Sequence, residues 1–371
     1  MRIVADENIP YVNEFFGTLG DVVLLPGRTI SPQDLRGADV LLVRSVTPVN
    51  EALLAESTVK FVGTCTIGVD HLDINALQRR KIGYASAPGC NADAVAQYVT
   101  SALAHLNKHE TPGRAVVVGG GNVGSRVYKA LESLGFDCQC VDPYLGNGAP
   151  FDLVDFNAVY SADLICLHTP LTRDGLYPTF HMMSESVMAR LKSGVVLLNA
   201  GRGAVVDNKA LLAHLLSGKQ IAAVLDVWEN EPSISAELLA AVAIGTPHIA
   251  GYSFEGRVKG SLMIFDALCR FLKVSDVQRS ETITSLSASA FGGNAAITPK
   301  CLAEAVLTVY DIGKDHRALL AVAEALPVAF DLLRKNYPKR REFNHYVLTN
   351  TAFPEVAALA NLGFLQSGLS K

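Results

Sequence analysis

Three residues in the second half of the chain, Arg202, Glu231 and His248, are of types that bind acids and move protons. Arg202 stands between two glycines in NAGRGAVVD, Glu231 lies in LDVWENEP, and His248 lies in TPHIAGYS. A guanidinium can bind a carboxylate through two parallel hydrogen bonds. An imidazole can exchange a proton near neutral pH, and a carboxylate beside it can fix its tautomer. Together they predict a site that binds an acid and takes a proton from it.

Each of the three has an ordinary structural explanation when it is taken alone. Arg202 could be an exposed surface arginine, and Glu231 could be a solvated loop glutamate. His248 stands in an otherwise apolar run, where a histidine is more often structural than catalytic. The functional interpretation therefore depends on their combination, and on a nucleotide motif that precedes them.

That motif is the run AVVVGGGNVG at 115–124, in which Gly119, Gly121 and Gly124 have the spacing G-x-G-x-x-G. It follows an apolar strand pattern and precedes a helical one. The first glycine permits a tight turn, the second lets a pyrophosphate approach the backbone, and the third lets helix and strand pack closely. The free N–H groups at the start of the helix favour an anion.

A second strand pattern, DCQCVD, ends at Asp142, about twenty residues after the glycines, as the fingerprint requires. A carboxylate here can accept hydrogen bonds from both ribose hydroxyls and repels a 2′-phosphate. Pro143 and Tyr144 follow and supply no cation. The sequence therefore favours NAD over NADP, with a βαβ turn that binds no nucleotide as the alternative.

Alternating apolar runs and helical spacings along the chain predict parallel sheets with crossover helices. Strands are predicted at 2–6, 21–26, 39–44, 60–65 and 82–87, and again at 115–120, 137–142, 164–170, 194–200, 221–227 and 246–251. The first series predicts one α/β domain, and the second predicts a doubly wound Rossmann-type sheet.

Two long helices are predicted around the second series, at 91–109 and at 255–272. The Ser-, Thr- and Gly-rich stretch 280–299 predicts a linker or an extended arm. A helical pattern at 300–335 and the basic segment 337–343 then predict a small third unit. Lys339, Arg340 and Arg341 in that segment are predicted to form a basic patch, either in solvent or at an interface.

Composition excludes several classes of protein. The 371 residues include 49% hydrophobic and 18% charged residues, which is typical of a folded globular chain. A net charge of −4 provides no basic surplus for nucleic acid. No apolar run reaches the length that a membrane span needs, and Asp6 and Glu7 interrupt any secretory signal. The seven cysteines form no metal or redox spacing, so we expect buried thiols, no bound metal and a cytoplasmic location.

The order GGGNVG, NAGRG, DVWENEP, TPHIAG resembles the NAD-dependent D-2-hydroxyacid dehydrogenase family over about residues 1–285. The resemblance implies that Arg202, Glu231 and His248 are catalytic. It also implies an NAD-binding Rossmann domain (96–250) inserted into a flavodoxin-like α/β substrate domain (1–95 and 251–285). The remaining residues, 286–371, would form a small C-terminal α+β dimerisation domain.

Further motifs, including VRSVTPVNEALL, FVGTCTIGVDHLD and GYSFEGRVKG, resemble one branch of this family. That branch oxidises a phosphorylated four-carbon hydroxy acid during pyridoxal 5′-phosphate biosynthesis and forms homodimers. The resemblance implies substrate contacts at Ser45, Thr66 and Tyr252. It implies cofactor contacts at Gly119, Gly121, Asn122, Val123, Gly124, Asp142, Thr169, Asp226 and Gly251. Arg44 could bind the substrate phosphate or could simply close a strand.

Two other functions remain open at this stage. The chain could act on another 2-hydroxy acid, such as 3-phosphoglycerate or a glyoxylate-type substrate, although the helix-rich tail differs from the regulatory domain of many 3-phosphoglycerate enzymes. It could also be a non-catalytic NAD-sensing scaffold. We expect no nucleic acid and no membrane among its partners.

Overall fold

The computed structural model describes residues 1–146 and 148–367. Contacts divide the chain into two compact units. The first unit comprises Met1–Asn91 and Phe254–Gly293, and the second comprises Ala92–Ser253 and the segment that begins at Asn294. The C-terminal segment therefore clusters with the second unit, whereas the sequence predicts a separate domain from residue 286.

The first unit has a five-stranded parallel sheet in the order β2-β1-β3-β4-β5. Every residue of its third and fourth strands is buried, as expected when helices cover both faces. The strands are β1 (Arg2–Asp6), β2 (Asp21–Leu25), β3 (Val40–Val43), β4 (Phe61–Thr64) and β5 (Gly83–Ala85). The helices are α1 (Val12–Phe16), α2 (Glu51–Leu54), α3 (Ile74–Arg79), α9 (Phe254–Phe271) and α10 (Asp276–Phe291).

The second unit has a six-stranded parallel sheet in the order β11-β10-β9-β8-β6-β7. Its strands are β6 (Arg114–Val118), β7 (Asp137–Val141), β8 (Leu164–Leu167), β9 (Val195–Asn199), β10 (Ile221–Leu225) and β11 (Ile244–Gly245). Its helices up to this point are α4 (Ala92–His105), α5 (Asn122–Ser133), α6 (Glu185–Ala189), α7 (Asn208–Leu216) and α8 (Ala236–Ala241). The order reverses between β6 and β8, which is the point where doubly wound sheets bind ligands.

Up to residue 367, the C-terminal segment adds four helices and a three-stranded parallel sheet, β12-β13-β14, to the second unit. The helices are α11 (Leu302–Val309), α12 (Ile312–Leu320), α13 (Val328–Lys335) and α14 (Val356–Leu362). The strands are β12 (Ala295–Ile297), β13 (Tyr346–Leu348) and β14 (Leu365–Gln366). Leu302, Val306 and Phe343 share one buried apolar cluster with residues of α4 and α5. Among the described helices, none combines the length and the apolarity needed to cross a membrane.

Two sequence predictions are wrong in this fold. Residues 280–291 are not a linker, because they lie in α10. There the hydroxyl groups of Thr282 and Thr284 donate hydrogen bonds to backbone carbonyls one turn earlier in the helix. Residues 246–251 are not a strand. The chain leaves the sheet after β11, and His248 has a left-handed backbone with φ 56°.

Candidate active site

All the candidate residues of the second unit follow the carboxyl ends of its parallel strands, and therefore lie along one edge of the sheet. The glycine run follows β6, Asp142 follows β7 and Thr169 follows β8. Arg202, Glu231 and His248 follow β9, β10 and β11, which are neighbours in the sheet. Ligands of open α/β sheets bind at this edge.

The glycine run makes a turn whose shape requires its glycines. Gly119 has φ +95°, a conformation that side chains disfavour. A Cβ at Gly124 would lie 1.8 Å from the carbonyl oxygen of Gly119, so only glycine lets α5 start here. A Cβ at Gly121, the N-cap of α5, would meet nothing within 4 Å, and no side chain caps the helix. The start of α5, at Asn122 and Val123, thus offers backbone N–H groups beside open space.

Two half-buried side chains beside this turn have buried polar atoms with no hydrogen-bond partner among the described residues. Both ring nitrogens of His168 and the hydroxyl of Thr169 make no hydrogen bond. Burial lowers the pKa of His168 to about 3, which keeps the ring neutral. Buried polar groups are normally hydrogen-bonded, so these atoms fit a polar ligand at the turn. The motif LICLHTP marks His168 in the sequence, but nothing in its spacing indicates this role.

Asp142 is tied to the glycine turn. Its carboxylate accepts hydrogen bonds from the backbone N–H of Gly120 at 2.9 Å and of Tyr144 at 3.0 Å. A carboxylate offers about four acceptor positions, so capacity remains for a ribose hydroxyl. The turn, the two orphaned side chains and this carboxylate fit the dinucleotide that the sequence predicts.

Arg202 is presented by a turn that Asn199 holds together. The buried Asn199 accepts a hydrogen bond from the N–H of Gly201 at 3.1 Å and donates one to the carbonyl of Arg202 at 3.0 Å. Gly203 lies against the backbone of Trp228, where a Cβ would be 1.9 Å from the carbonyl oxygen. The turn that carries Arg202 therefore packs directly on the loop that leads to Glu231. Sequence analysis missed Asn199, although its place in NAGRG offered the signal.

Glu231 and His248 form a hydrogen-bonded pair. The carboxylate Oε2 of Glu231 lies 2.7 Å from Nδ1 of His248, and its Oε1 accepts the N–H of Trp228 at 2.8 Å. Burial raises the pKa of Glu231, but the charge of His248 and its hydrogen bond outweigh burial, so that the pKa lies below its usual value. An ionised Glu231 holds the proton on Nδ1 and leaves Nε2 as the acceptor.

Asp226 fixes the turn that carries His248. Its side chain is 1% exposed and accepts three hydrogen bonds. The donors are the hydroxyl of Thr246 at 2.7 Å and the N–H groups of Ile249 at 2.7 Å and Ala250 at 2.9 Å. Burial raises the pKa of Asp226 against the lowering effect of these bonds and of His248. Asp226 therefore fixes the backbone of the turn after β11, and its contact with a cofactor stays a prediction.

Tyr252 and Gly251 follow the same turn. The ring of Tyr337 stands edge-on to that of Tyr252 at 5.9 Å, and the guanidinium of Arg334 lies 5.7 Å from the Tyr252 ring. Two residues of the C-terminal segment thus fix the orientation of this tyrosine. Neither was predicted from the sequence.

In the first unit, Ser45 and Thr66 follow the adjacent strands β3 and β4. Ser45 is exposed, and the hydroxyl of Thr66 lies 2.8 Å from that of Thr64. Arg44 is paired through two nitrogens with the buried Asp6, at 2.9 and 3.3 Å. The guanidinium is therefore oriented and partly neutralised.

His181, Asp207 and Glu229 form a cluster in which atoms able to bind a metal ion lie within 4.8 Å of one another. Its members are engaged with one another and with α7. Glu229 accepts from the ring of His181 at 2.7 Å and from the N–H of Asn208 at 3.0 Å, while Asp207 caps the helix. We interpret the cluster as a brace between loops.

Comparison with known proteins identifies the family. The chain is 51% identical to erythronate-4-phosphate dehydrogenase from Saccharophagus degradans over 98% of this chain and 99% of the relative. The chain belongs to the erythronate-4-phosphate dehydrogenase family. A second member, from Escherichia coli O157:H7, is 44% identical over 98% of each chain. Residues 91–250 match the NAD binding domain of D-isomer specific 2-hydroxyacid dehydrogenases, and residues 286–363 match a domain of unknown function, DUF3410.

Solved structures of more distant relatives share the fold of this family. The D-lactate dehydrogenase of Aquifex aeolicus, solved with NAD and lactic acid, is 22% identical with a TM-score of 0.62, covering 77% of this chain and 98% of that one. The 3-phosphoglycerate dehydrogenase of Entamoeba histolytica, solved with NAD, is 21% identical with a TM-score of 0.64, covering 74% and 96%. The predicted combination of a Rossmann-type sheet with a second α/β domain and a small C-terminal region is thereby confirmed.

Proposed function

We propose that this protein is an NAD-dependent dehydrogenase that oxidises 4-phospho-D-erythronate to 2-oxo-3-hydroxy-4-phosphobutanoate. The observation that carries the proposal is the hydrogen bond of 2.7 Å between Glu231 and His248, at the sheet edge that holds the glycine turn. Identity of 44–51% to relatives of that name supports the choice of substrate. A binding scaffold would not need an oriented proton acceptor there.

In this proposal Arg202 binds the C1 carboxylate and polarises the oxygen on C2. Nε2 of His248 takes the proton of the C2 hydroxyl. Glu231 accepts the hydrogen bond from Nδ1 and stabilises the imidazolium that results. When bound, NAD accepts the hydride that leaves C2.

The glycine turn and its neighbours would hold the cofactor. The N–H groups of Gly121, Asn122, Val123 and Gly124 would bind the pyrophosphate, and Asp142 would accept the ribose hydroxyls. Thr169, Asp226 and Gly251 complete the proposed cofactor contacts.

Ser45, Thr66 and Tyr252 are proposed as substrate contacts by their match to the family motifs. Arg44 is proposed to bind the 4-phosphate, because an arginine fork oriented by Asp6 presents its remaining N–H groups in a fixed direction. We also propose a cytoplasmic homodimer, formed through the C-terminal segment, that acts in pyridoxal 5′-phosphate biosynthesis. In that case 96–250 would be the cofactor domain and 1–95 with 251–285 the substrate domain.

The test is a substrate panel with purified protein and NAD, followed by NADH absorbance at 340 nm. It contains 4-phospho-D-erythronate, 3-phosphoglycerate, D-lactate and D-erythronate without phosphate. We expect the highest kcat/KM for 4-phospho-D-erythronate. A higher kcat/KM for 3-phosphoglycerate would show that the proposed substrate is wrong. An absence of turnover with every acid would show that the protein is not a dehydrogenase of these acids.

A further inference from the structure

The basic segment Lys339–Arg341 does not lie wholly on the surface. Arg340 is 6% exposed, and its Nη2 donates a hydrogen bond to the carbonyl of Ala250, two residues beyond His248. Its guanidinium lies 4.3 Å from the ring centre of Tyr310. Burying a charge is unfavourable unless it gains specific partners, so this placement needs a reason.

Arg340 and Asp226 hold the same short turn by opposite backbone groups. Asp226 accepts the N–H groups of Ile249 and Ala250, and Arg340 donates to the carbonyl of Ala250. A carboxylate therefore binds the backbone N–H groups of this turn, and a guanidinium binds one of its backbone carbonyls. His248, with its left-handed backbone, is the residue just before this clamp.

The C-terminal segment is also paired along the residues that follow the turn. Ser253 and Arg340 form a parallel bridge, and the buried hydroxyl of Ser253 donates to Glu342 at 2.6 Å. On its other side, Gln97 donates to the carbonyl of Arg341 at 3.0 Å, which ties the segment to α4. These bonds fix the position from which Arg340 reaches Ala250.

A positive charge at this place is favoured by two nearby acids, the half-buried Asp315 and the buried Asp226. Asp315 accepts the hydroxyl groups of Tyr310 at 2.9 Å and Tyr337 at 2.8 Å. Burial raises the pKa of Asp315, and the two tyrosine hydrogen bonds and the charge of Arg340 oppose that rise. Burial likewise works against the charge on Arg340, but the neighbouring tyrosines and acids, Asp226 among them, raise its pKa above the usual value.

We propose that Arg340 is a positioning residue for His248, which the C-terminal segment supplies by clamping the carbonyl of Ala250. The C-terminal segment then takes part in forming the active site of its own chain. Arg340 acts only through the turn and touches no reacting atom.

Two variants separate positioning from folding. Arg340→Met removes the charge and the donors but keeps an apolar stem over Tyr310. Arg340→Lys keeps a positive charge near Asp315 and Asp226 but lacks the planar fork of a guanidinium. Arg190→Met is the matched control, because Arg190 also stacks on a tyrosine of the second unit, 3.7 Å from the ring centre of Tyr160, far along the chain from the turn.

The first measurement is amide hydrogen exchange of the peptide that covers 246–253, which requires no substrate. We expect exchange at Ile249 and Ala250 to be about tenfold faster in Arg340→Met, because a looser turn opens more often. Peptides of β6 and the glycine turn should exchange as in the wild type. Arg340→Lys should fold and show a smaller local increase, and Arg190→Met should show none.

The second measurement is steady-state kinetics, and this arm rests on the proposed function. We expect kcat to fall about 10- to 100-fold in Arg340→Met, because a displaced proton acceptor slows the chemistry. KM for NAD should rise by a smaller factor than kcat falls, because most of the proposed cofactor contacts belong to the glycine turn and Asp142, which are not part of the clamp. If the wild type fails to turn over, the proposed function fails, and the exchange arm still decides the role of Arg340.

Either of two results would overturn the role. One is unchanged exchange at 246–253 in both Arg340 variants. The other is a folded Arg340→Lys protein with wild-type exchange and kcat beside an Arg340→Met protein that loosens everywhere, which would assign Arg340 to folding alone.

Discussion

The carboxyl ends of the two parallel sheets differ in how their polar groups are satisfied. In the first unit these groups bond to each other, as Asp6 does with Arg44 and Thr64 with Thr66 and His71. In the second unit Thr169 and His168 have buried atoms with no partner among the described residues, and the turn at Gly121 faces open space. The second edge is therefore prepared for a ligand, whereas a ligand at the first must compete with existing bonds.

Within the second edge, two carboxylates that follow the same strand are set apart by their surroundings. Burial raises the pKa of Asp226, whose hydrogen bonds from the described residues come from neutral N–H and O–H groups. Glu231 has the imidazole of His248 as a partner, and its pKa is lowered in spite of burial. One acid thus anchors a turn, and the other would stabilise the imidazolium in the proposed mechanism.

The largest effect is expected from His248→Asn, which removes the proposed proton acceptor at the carboxyl edge of the second sheet. We expect kcat to fall by about 10²–10⁴-fold, because the amide cannot accept the hydroxyl proton. The Kd for NAD, measured by calorimetry, should stay near the wild-type value. Near-normal turnover would remove His248 from the proposed mechanism.

The glycine turn gives a paired test of the same edge. Gly124→Ala should lower Tm and weaken NAD binding by at least about tenfold, because its Cβ would overlap the carbonyl of Gly119. Gly121→Ala should leave Tm unchanged, since its Cβ meets nothing, yet also weaken NAD binding by crowding the anion. Thermal melts measure the effect of each variant on stability, and NAD titrations measure its effect on binding. Full-strength NAD binding by Gly121→Ala would place the cofactor elsewhere.

Glu231→Gln tests the difference between the two carboxylates. The lowered pKa of Glu231 shows that its ionised form and protonated His248 favour each other. Without that charge the imidazolium loses its stabiliser, so the acidic limb of kcat/KM should move to lower pH. The profile of kcat/KM from pH 5 to 9, roughly the range in which histidine titrates, measures the shift. An acidic limb that does not move would separate Glu231 from the proton transfer.

The smallest effect is expected at the first edge. Arg44→Met should raise KM for the phosphorylated substrate about three- to tenfold and leave kcat nearly unchanged, because Asp6 already neutralises part of the charge. The non-phosphorylated acid should show no change in KM, which makes it the control. An equal loss with both acids would mean that Arg44 supports the fold of this edge and does not bind phosphate.

Strand positions and the main site motifs could be predicted from sequence because buried parallel strands are continuous apolar runs, and glycine turns have fixed spacing. The helix α10 could not, since its Ser- and Thr-rich composition favours loops until the hydroxyls bond within the helix. The turn at His248 was missed because its apolar neighbours mimic a strand. Arg340 was missed because a basic run of three residues normally lies in solvent, and only the fold shows which one is buried.

Gly203 has a consequence for how this enzyme family can change. Because its bare backbone rests on the backbone of Trp228, the loop of Arg202 and the loop of Glu231 touch at a point that leaves no room for a side chain. A shift of one loop at this contact would displace the other, so the positions of Arg202 and Glu231 are coupled. We therefore expect natural variation in substrate range to accumulate away from this interface, in the polar residues that follow β3 and β4.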